Sequence, residues 1–544
     1  MEKSIFLVVL LILSVLTSCN CKKIWYSIND NLEITTGKNN SGSIGFGYFK
    51  DEVQKDGWGK LYIQMNEVVP NQHSNSYYAA GYLEGYLTSG LIYNFSQNYF
   101  LNQFNSSNVK DLPMELLEFA STNSEWMQET FQNDTSAFGV QVQNVQQQFN
   151  GLVQGYNDNV DEELQLDPML LLLMNYIGDL DDILNYIQYQ KDQKSAKSKI
   201  FTVAELEDIF SRGHCSSLIK VPSDYSELYS SHTTWGSYYT MLRIFKRIII
   251  PDVWAPFGYD IYYSGYPGII TSDDDYFLIK PSNLVVTETT NSIINMSLYS
   301  QVKPTTLLYW VRSMVANRLA NSGQEWIDNY VPYQSGTYCN QWMIIDYKLF
   351  TPFSDLQNGT LMIMESIPGE YLQADVTEIL SFGYWSSFNR PYFPRFQELM
   401  GYTYYEKLYG DIASYSLNPR AKIFRRDQNN VESISDMQSI MLYNMYLTDP
   451  YSEGFPGNAI ASRYDLGGGP NLPPSWFNKT GRGAIDSKIT SSQLVSIQQS
   501  LAYSGPPVTP DCPPFSFDGE WSQISHLGIP QTFNFDWVQM TLDQ

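Results

Sequence analysis

The strongest constraint on the fold is a change in sequence pattern near residue 201. Before it the chain is predicted to be more helical than the rest, as in 71–90 and Phe138–Tyr156. After it come short strand-like runs, separated by Gly and Pro turns: Ser217–Val221, Met241–Ile250, Asn283–Thr290, Trp342–Tyr347 and Thr360–Ile367. A helical part followed by a strand-rich part predicts an α+β fold built in packed layers.

Local signals in the first part support helices. Gly81 and Gly85 are four residues apart, which leaves one helix face bare for close packing. Phe138–Tyr156 is rich in Gln and predicts an exposed helix. Asp167-Pro168 has the residue types of an N-cap and a first helical position, so it predicts the start of an apolar helix. The polar, Lys-rich segment Gln188–Lys199 predicts a linker or an exposed loop.

Charge and composition exclude two classes of protein. Acidic residues number 57 against 33 basic ones, and the net charge of −24 repels phosphate backbones, so nucleic acid is not an expected partner. Charged residues make up only 17% of the chain and aromatic residues 15%. This composition argues against disorder and predicts a large aromatic core.

The N-terminal region has the pattern of a secretory signal. Ile5–Thr17 is an apolar run too short to span a bilayer, which needs about 20 residues, and Ser18 follows it. We therefore expect a cleaved signal peptide over residues 1–19, with a retained anchor as the alternative. No second stretch is long enough to span, so we expect no transmembrane segment in the mature protein, with peripheral membrane contact left open.

Glycosylation sequons support the same route to a secreted or lysosomal/endosomal compartment. The acceptors are Asn39, Asn94, Asn105, Asn133, Asn295, Asn358 and Asn478. The chain has only five cysteines, so it does not depend on a disulfide framework. A cysteine that remains is therefore either chemically active or simply buried.

Cys215 stands at the boundary between the two parts of the chain. The run Gly213–Lys220 (GHCSSLIK) places it after a flexible Gly and directly before an apolar strand. If the chain were cut before Cys215, the freed α-amine would be the nearest base for the thiol. The pattern alone favours the alternative, a small buried core cysteine at the edge of a strand.

Several motifs together resemble the phospholipase B-like family. They are AAGYLEGYLT (Ala79–Thr88), GHCSSLIK, SHTTWG (Ser231–Gly236), YPGIITSDDDYF (Tyr266–Phe277), GTYCNQWM (Gly336–Met343), PRAKIFRRD (Pro419–Asp427) and GAIDSKITS (Gly483–Ser491). The family is similar to penicillin V acylases and bile-salt hydrolases, and the resemblance implies a four-layer αββα N-terminal-nucleophile hydrolase fold. It implies autocatalytic cleavage before Cys215, with 20–214 released but packed on a catalytic part, 215–544. Cys339 departs from the pattern, since Asn is expected there.

The same resemblance implies roles for individual residues. Cys215 would be the nucleophile and, through its freed amine, the general base, while Asn340 would donate its amide to an oxyanion. The other implied site residues are His232 and Trp235 around the nucleophile, Thr290 or Thr289 on a neighbouring strand, and Arg425 or Arg426 to hold a carboxylate or orient the cysteine. No cofactor and no metal are implied.

The implied activity is deacylation of glycerophospholipids of the phosphatidylcholine type. Two alternatives stay open: an amidase acting on N-acyl amines, and a non-catalytic lipid- or glycan-binding glycoprotein of the same fold. Ser217–Lys220 and Lys479–Gly481 match two motifs of penicillin-binding enzymes, but the S-D-N motif between them is missing.

Two acidic groups resemble metal ligands without the spacing of a calcium loop. They are Asp273–Asp275 and the group Asp179, Asp181 and Asp182. We predict a turn for the first group and a solvated helix face for the second.

Overall fold

The structure is a computed structural model that describes residues 23–66, 73–192, 205–206, 209, 215–273, 275–467 and 479–543. The predicted signal peptide, His214, Asn478 and most of the predicted linker lie outside these ranges. Among the helices within them, none is long and apolar enough to cross a membrane.

The strands of the described chain run from β1 to β19. Their bounds are β1 (Tyr26–Asn29), β2 (Ile34–Thr36), β3 (Ser43–Glu52), β4 (Trp58–Met65), β5 (Ser216–Lys220), β6 (Tyr229–Ser237), β7 (Arg243–Ile249), β8 (Asp260–Gly265), β9 (Tyr276–Lys280), β10 (Leu284–Thr290), β11 (Asn340–Asp346), β12 (Leu361–Ile367), β13 (Glu370–Asp375), β14 (Tyr384–Ser387), β15 (Arg482–Ser491), β16 (Ser500–Ser504), β17 (Phe515–Ser516), β18 (Thr532–Phe533) and β19 (Val538–Met540). The five strands predicted from the sequence are confirmed as β5, β7, β10, β11 and β12.

Two large sheets contain nearly all of these strands. The larger has eleven strands in the order β13-β12-β11-β10-β9-β8-β7-β4-β3-β1-β2. The smaller has six, in the order β14-β5-β6-β15-β16-β19, and β17 pairs with β18. The segment after Cys215 therefore forms an interior strand of the smaller sheet.

The strands β1–β4 were not predicted, because Gly and Lys interrupt their apolar residues. They make the first part of the chain less helical than expected. β4 pairs with β7 in parallel over seven residues, from Trp58 opposite Arg243 to Gln64 opposite Ile249. The segments on either side of Cys215 therefore share one hydrogen-bonded sheet, which would hold them together after a cut between them.

Helices cover most of residues 73–192 and recur between the later strands. Their bounds are α1 (Val53–Asp56), α2 (His73–Leu87), α3 (Ser89–Phe104), α4 (Met114–Phe131), α5 (Ala137–Asn157), α6 (Pro168–Asn175), α7 (Ile177–Asp192), α8 (Tyr309–Leu319), α9 (Gly323–Tyr330), α10 (Thr377–Ser381), α11 (Pro394–Leu399), α12 (Tyr402–Tyr409), α13 (Pro419–Asp427), α14 (Ile434–Met441) and α15 (Ser492–Ser496). The predicted cap is confirmed, since the Asp167 side chain accepts a hydrogen bond from Met169 N at 2.8 Å, with Pro168 first in the helix.

Close packing at the paired glycines is also confirmed. A Cβ on Gly81 would lie 1.8 Å from Gln148 O, and one on Gly85 would lie 2.2 Å from Leu152 O. α2 and α5 therefore pack backbone against backbone. The prediction that Phe138–Tyr156 is an exposed helix is wrong, because this contact buries one face of α5, including Gln141 and Gln148.

The aromatic residues fill a core between the two sheets. Phe245 and Tyr276 of the larger sheet share a buried cluster with Ile219 and Trp385 of the smaller one. The Tyr276 and Ser500 hydroxyls lie 3.0 Å apart across the same space. The predicted aromatic core is confirmed.

Helices pack on the other face of each sheet. Ile244 and Phe277 of the larger sheet join the main core with residues of α2 and α6. Leu218 and Ile489 of the smaller sheet pack with Phe424 of α13, among other helical residues. The predicted α+β class is confirmed.

Candidate active site

The site is built around Cys215, the residue directly before β5. Its side chain is fully buried, and the sheet register places His232 of β6 opposite Ser217. Glu288 comes from β10 in the larger sheet. The Cys215 sulfur, a His232 ring nitrogen and a Glu288 carboxylate oxygen all lie within 4.8 Å of one another. Two residues from the smaller-sheet segment and one from the larger sheet, all distant in sequence, thus meet at one point.

Arg420 of α13 holds the backbone at the nucleophile. Its Nη1 donates to the Cys215 carbonyl oxygen at 2.7 Å and lies 3.3 Å from Ser216 Oγ. The guanidinium carbon lies 4.3 Å from the centre of the Trp235 ring. Burial, with help from the nearby positive charge of Arg390, lowers the pKa of Arg420 to about 9. Arg420 is therefore a charged clamp at neutral pH.

The Trp235 ring packs against the Arg420 guanidinium, and its indole N–H makes a buried hydrogen bond. Nε1 donates to Ile460 O at 3.1 Å, and the side chain is 2% exposed. A cavity of about 60 Å³ lies beside Trp235 and Arg420, and it is also lined by Arg390, Asn418, Tyr464 and others. Trp235 therefore lies beside the arginine that binds the Cys215 carbonyl, and its predicted place beside the thiol stays a prediction.

His232 lies in a fully buried, charged environment. Burial lowers its pKa well below the usual value, and the positive charges of Lys488 and Arg243 add to the shift. Asp486 accepts hydrogen bonds from Lys488 at 2.6 Å and from Arg243 at 2.7 Å. Burial opposes ionisation of Asp486, but these two cations outweigh it and lower its pKa. His232 is therefore neutral beside a mixed ion cluster.

The two candidate threonines lie on opposite faces of β10. Thr289 is fully buried, and its hydroxyl lies 2.6 Å from Ser387 Oγ in the smaller sheet. Thr290 Oγ1 donates to Glu288 Oε2 at 3.3 Å. Thr289 thus bridges the sheets, whereas Thr290 supports the carboxylate that approaches Cys215.

Asn340 opens β11 and pairs with Thr290 in the ladder, while Glu288 pairs with Trp342. Side chains two residues apart on a strand share a face, so Asn340 lies on the same side of the sheet as Glu288 and diagonally across from it. The residue is fully buried, and neither amide atom of its side chain has a hydrogen-bond partner among the described residues. Cys339, where Asn was expected, is buried and directs its sulfur to Gly336 O at 3.6 Å. The amide of Asn340 is thus available for a ligand.

Arg425 and Arg426 are not brought to Cys215, which corrects the predicted arginine. Arg425 is exposed and donates to Ser416 O at 3.1 Å, while Arg426 is exposed and pairs with Asp427 and Asp449. Residues five or six apart on a helix are separated by about 140° or 120° around its axis. The face of α13 that carries Arg420 inward therefore carries these two outward.

Sequence reasoning missed Glu288 and Asn389 as well as Arg420. Asn389 Nδ2 donates to Thr290 O at 2.7 Å, and its Oδ1 is buried without a partner among the described residues. Glu288 lies within the run Glu288–Thr290 that the sequence already marked. The cap Asn418-Pro419 marks where α13 begins, but it does not show which arginine of the helix faces Cys215.

The second acidic group is not solvated throughout, contrary to the prediction. Asp179 is fully buried, and it accepts hydrogen bonds from Thr337 Oγ1 at 2.5 Å and Tyr309 N at 3.1 Å. Burial raises its pKa to about 7. α7 is thus tied to the loop that leads into Asn340.

The sequons differ in exposure. Asn39, Asn105, Asn133 and Asn358 are exposed, and Asn94 is partly buried. Asn295 is partly buried and its Nδ2 donates to Leu399 O at 2.9 Å, so glycosylation there would break a hydrogen bond. The exposed four remain the best predicted acceptors.

Comparison with known proteins identifies the family. A family model described as Phospholipase B matches residues 45–540. The chain belongs to the phospholipase B family. The match spans all the site residues above, and the resemblance inferred from the motifs is confirmed.

Relatives match over nearly the whole chain. Phospholipase B-like protein F of Dictyostelium discoideum is 52% identical over 525 residues, covering 95% of this chain and 93% of that protein. Phospholipase B-like protein E of the same organism is 43% identical over 528 residues, with 95% and 94% covered. Phospholipase-B 81 of Drysdalia coronoides is 34% identical over 509 residues, with 91% and 88% covered.

Proposed function

We propose that the protein is a secreted or lysosomal hydrolase that removes fatty acids from glycerophospholipids, with Cys215 as its nucleophile. The family and the names of the relatives support a lipid hydrolase in general. The observation that carries the mechanism is the position of Cys215, buried at the start of an interior strand with its carbonyl held by Arg420. A thiol in that position gains a base if the chain is cut before it.

Activation would be an autocatalytic cleavage between His214 and Cys215. The thiol attacks the preceding carbonyl, the acyl group shifts from nitrogen to sulfur, and water hydrolyses the thioester. The freed amine then serves as the general base for substrate. The proposed fold is the four-layer αββα sandwich of N-terminal-nucleophile hydrolases, and the helices on the outer faces of both sheets support it.

The negative charge that develops on the substrate carbonyl needs a preorganised donor. The amide of Asn340 is proposed for this role, because it is buried and free of other hydrogen bonds among the described residues. The neutral His232 and the ring of Trp235 would shape the space around the thiol.

N-terminal sequencing and mass spectrometry of the purified protein test the activation step. We expect a chain that begins at Cys215, and we expect it to be absent in Cys215→Ala. Cys512→Ala is the matched control, because Cys512 is also a buried free cysteine. A mature protein that stays uncut would contradict the mechanism.

Turnover of phosphatidylcholine vesicles by the processed protein tests the substrate. Thiol attack assisted by an amine serves esters and amides alike, so matched ester and N-acyl amine substrates should be compared. Faster amide cleavage would make the protein an amidase. No turnover of either by correctly processed protein would favour a non-catalytic binding protein.

An acidic compartment predicts an activity optimum below pH 7. The net charge of −24 shrinks as carboxylates become protonated, which eases their mutual repulsion. Burial at Cys215 would lower the pKa of its freed amine and keep the base available. A rate that rises steadily through about pH 8 would contradict this part of the proposal.

A further inference from the structure

Side chains from β6 and β10 approach Cys215, the residue directly before β5. Cys215, His232 and Glu288 are fully buried, and one sulfur, one ring nitrogen and one carboxylate oxygen lie within 4.8 Å of one another. Thiolate, imidazole and carboxylate are the three common protein ligands of zinc. We propose that Cys215, His232 and Glu288 form a binding site for Zn²⁺, and that the bound ion blocks the nucleophile reversibly.

The spacing suits a tetrahedral ion after a small adjustment. Zinc bonds of about 2.0–2.3 Å place neighbouring ligand atoms roughly 3.3–3.8 Å apart, while the present upper limit is 4.8 Å. Side-chain rotation alone covers a difference of this size. Three protein ligands leave a fourth position for water or, after processing, for the α-amine of Cys215.

Two of the three ligands have specific features that favour binding of an ion. His232 Nε2 is buried with no hydrogen-bond partner among the described residues, so no other contact there competes with an ion for this nitrogen. The Cys215 thiol would release its proton to solvent on binding. A dication with one thiolate and one carboxylate is electrically neutral, which reduces the cost of holding it in a buried site.

Charged side chains of both signs surround the three ligands. Lys488 and Arg243 oppose a cation, but Asp486 pairs with both of them. On the other side the Tyr338 hydroxyl lies 3.1 Å from Asp275 Oδ2 and 3.1 Å from Glu288 Oε1, which brings a second acidic group near the first. Elsewhere in the described ranges, no other group of three potential ligands reaches this spacing.

Binding is tested with the full-length purified protein, reduced and stripped of metal with EDTA. Titration with Co²⁺ should give one equivalent of a sulfur-to-cobalt charge-transfer band, which Zn²⁺ then removes. Cys215→Ser should abolish the band, and Glu288→Gln should weaken binding by more than about 10-fold. Cys339→Ser, Cys512→Ser and Glu365→Gln are matched buried controls and should leave it unchanged. A band that persists in Cys215→Ser, or disappears in Cys512→Ser, would overturn the proposal.

X-ray absorption at the zinc edge tests the wild-type protein without relying on a variant that folds. We expect one sulfur at about 2.3 Å and nitrogen or oxygen ligands at about 2.0–2.1 Å. Bound zinc with no sulfur ligand would exclude the site.

Inhibition, unlike binding, rests on the proposed hydrolase function. Deacylation should stop at one equivalent of Zn²⁺ and return after EDTA. If the protein is active and one equivalent of Zn²⁺ does not change its deacylation rate, the proposed zinc site is wrong and the hydrolase function is retained. If the protein binds Zn²⁺ through Cys215 but never deacylates a substrate, the hydrolase function is wrong and the proposed zinc site is retained.

Discussion

Replacement of Arg420 by Lys tests whether the backbone clamp at Cys215 contributes to chemistry. Arg420 donates to the Cys215 carbonyl at 2.7 Å, and a lysine cannot both reach that oxygen and stack flat on Trp235. A hydrogen bond from a charged donor contributes about 1.5–3 kcal/mol. If the bond holds the thiol in its reactive position, its loss slows the reaction by about 10- to 150-fold.

The assay measures processing rate and deacylation kcat separately from KM. We expect Arg420→Lys to slow processing and lower kcat with KM little changed, because the clamp positions the thiol and does not bind the lipid. Arg425→Lys, on the exposed side of the same helix, is the matched control and should behave as wild type. Thermal unfolding shows whether each variant is folded. A folded Arg420→Lys that processes and turns over at wild-type rates would refute the role of the clamp.

Three further predictions concern the oxyanion donor, helix packing and pH. Asn340→Ala should lower kcat by about 10²–10³ with little change in KM, and an unchanged kcat would remove this amide from the site. Gly81→Ala should lower the free energy of unfolding by at least about 1–3 kcal/mol, because its Cβ would meet Gln148 O at 1.8 Å, whereas Gly90→Ala, which meets nothing within 4 Å, should not. Burial raises the pKa of Asp179 to about 7, so this group adds stability as pH falls below that value and loses its contribution as pH rises through it. Thermal melts at about pH 5 and about pH 8 should therefore differ less in Asp179→Asn than in wild type, and an unchanged difference would contradict the assignment.

Local pattern determined much of the secondary structure. Ser217–Val221 and Thr360–Ile367 are strands because their apolar residues fill positions buried on both sheet faces. The cap at Asp167 and the bare face at Gly81 and Gly85 act within a few residues, so sequence alone was enough for them. The strands β1–β4 were not predicted because their local propensity is weak and sheet pairing outweighs it, including the pairing of β4 with β7, more than 170 residues away.

The site depended more heavily on tertiary structure. The sequence marked Cys215 through the resemblance of the run Gly213–Lys220 to the family motif, because the local pattern alone fits a buried core cysteine. It did not distinguish Arg420 from Arg425, since both belong to the same basic run and only the phase of α13 against the smaller sheet separates them. It gave no sign that Glu288 approaches Cys215 and His232. Strand periodicity in the sequence predicts which face of a strand a side chain occupies. The residues that this side chain contacts across two packed sheets depend on strand register and on how the sheets pack against each other.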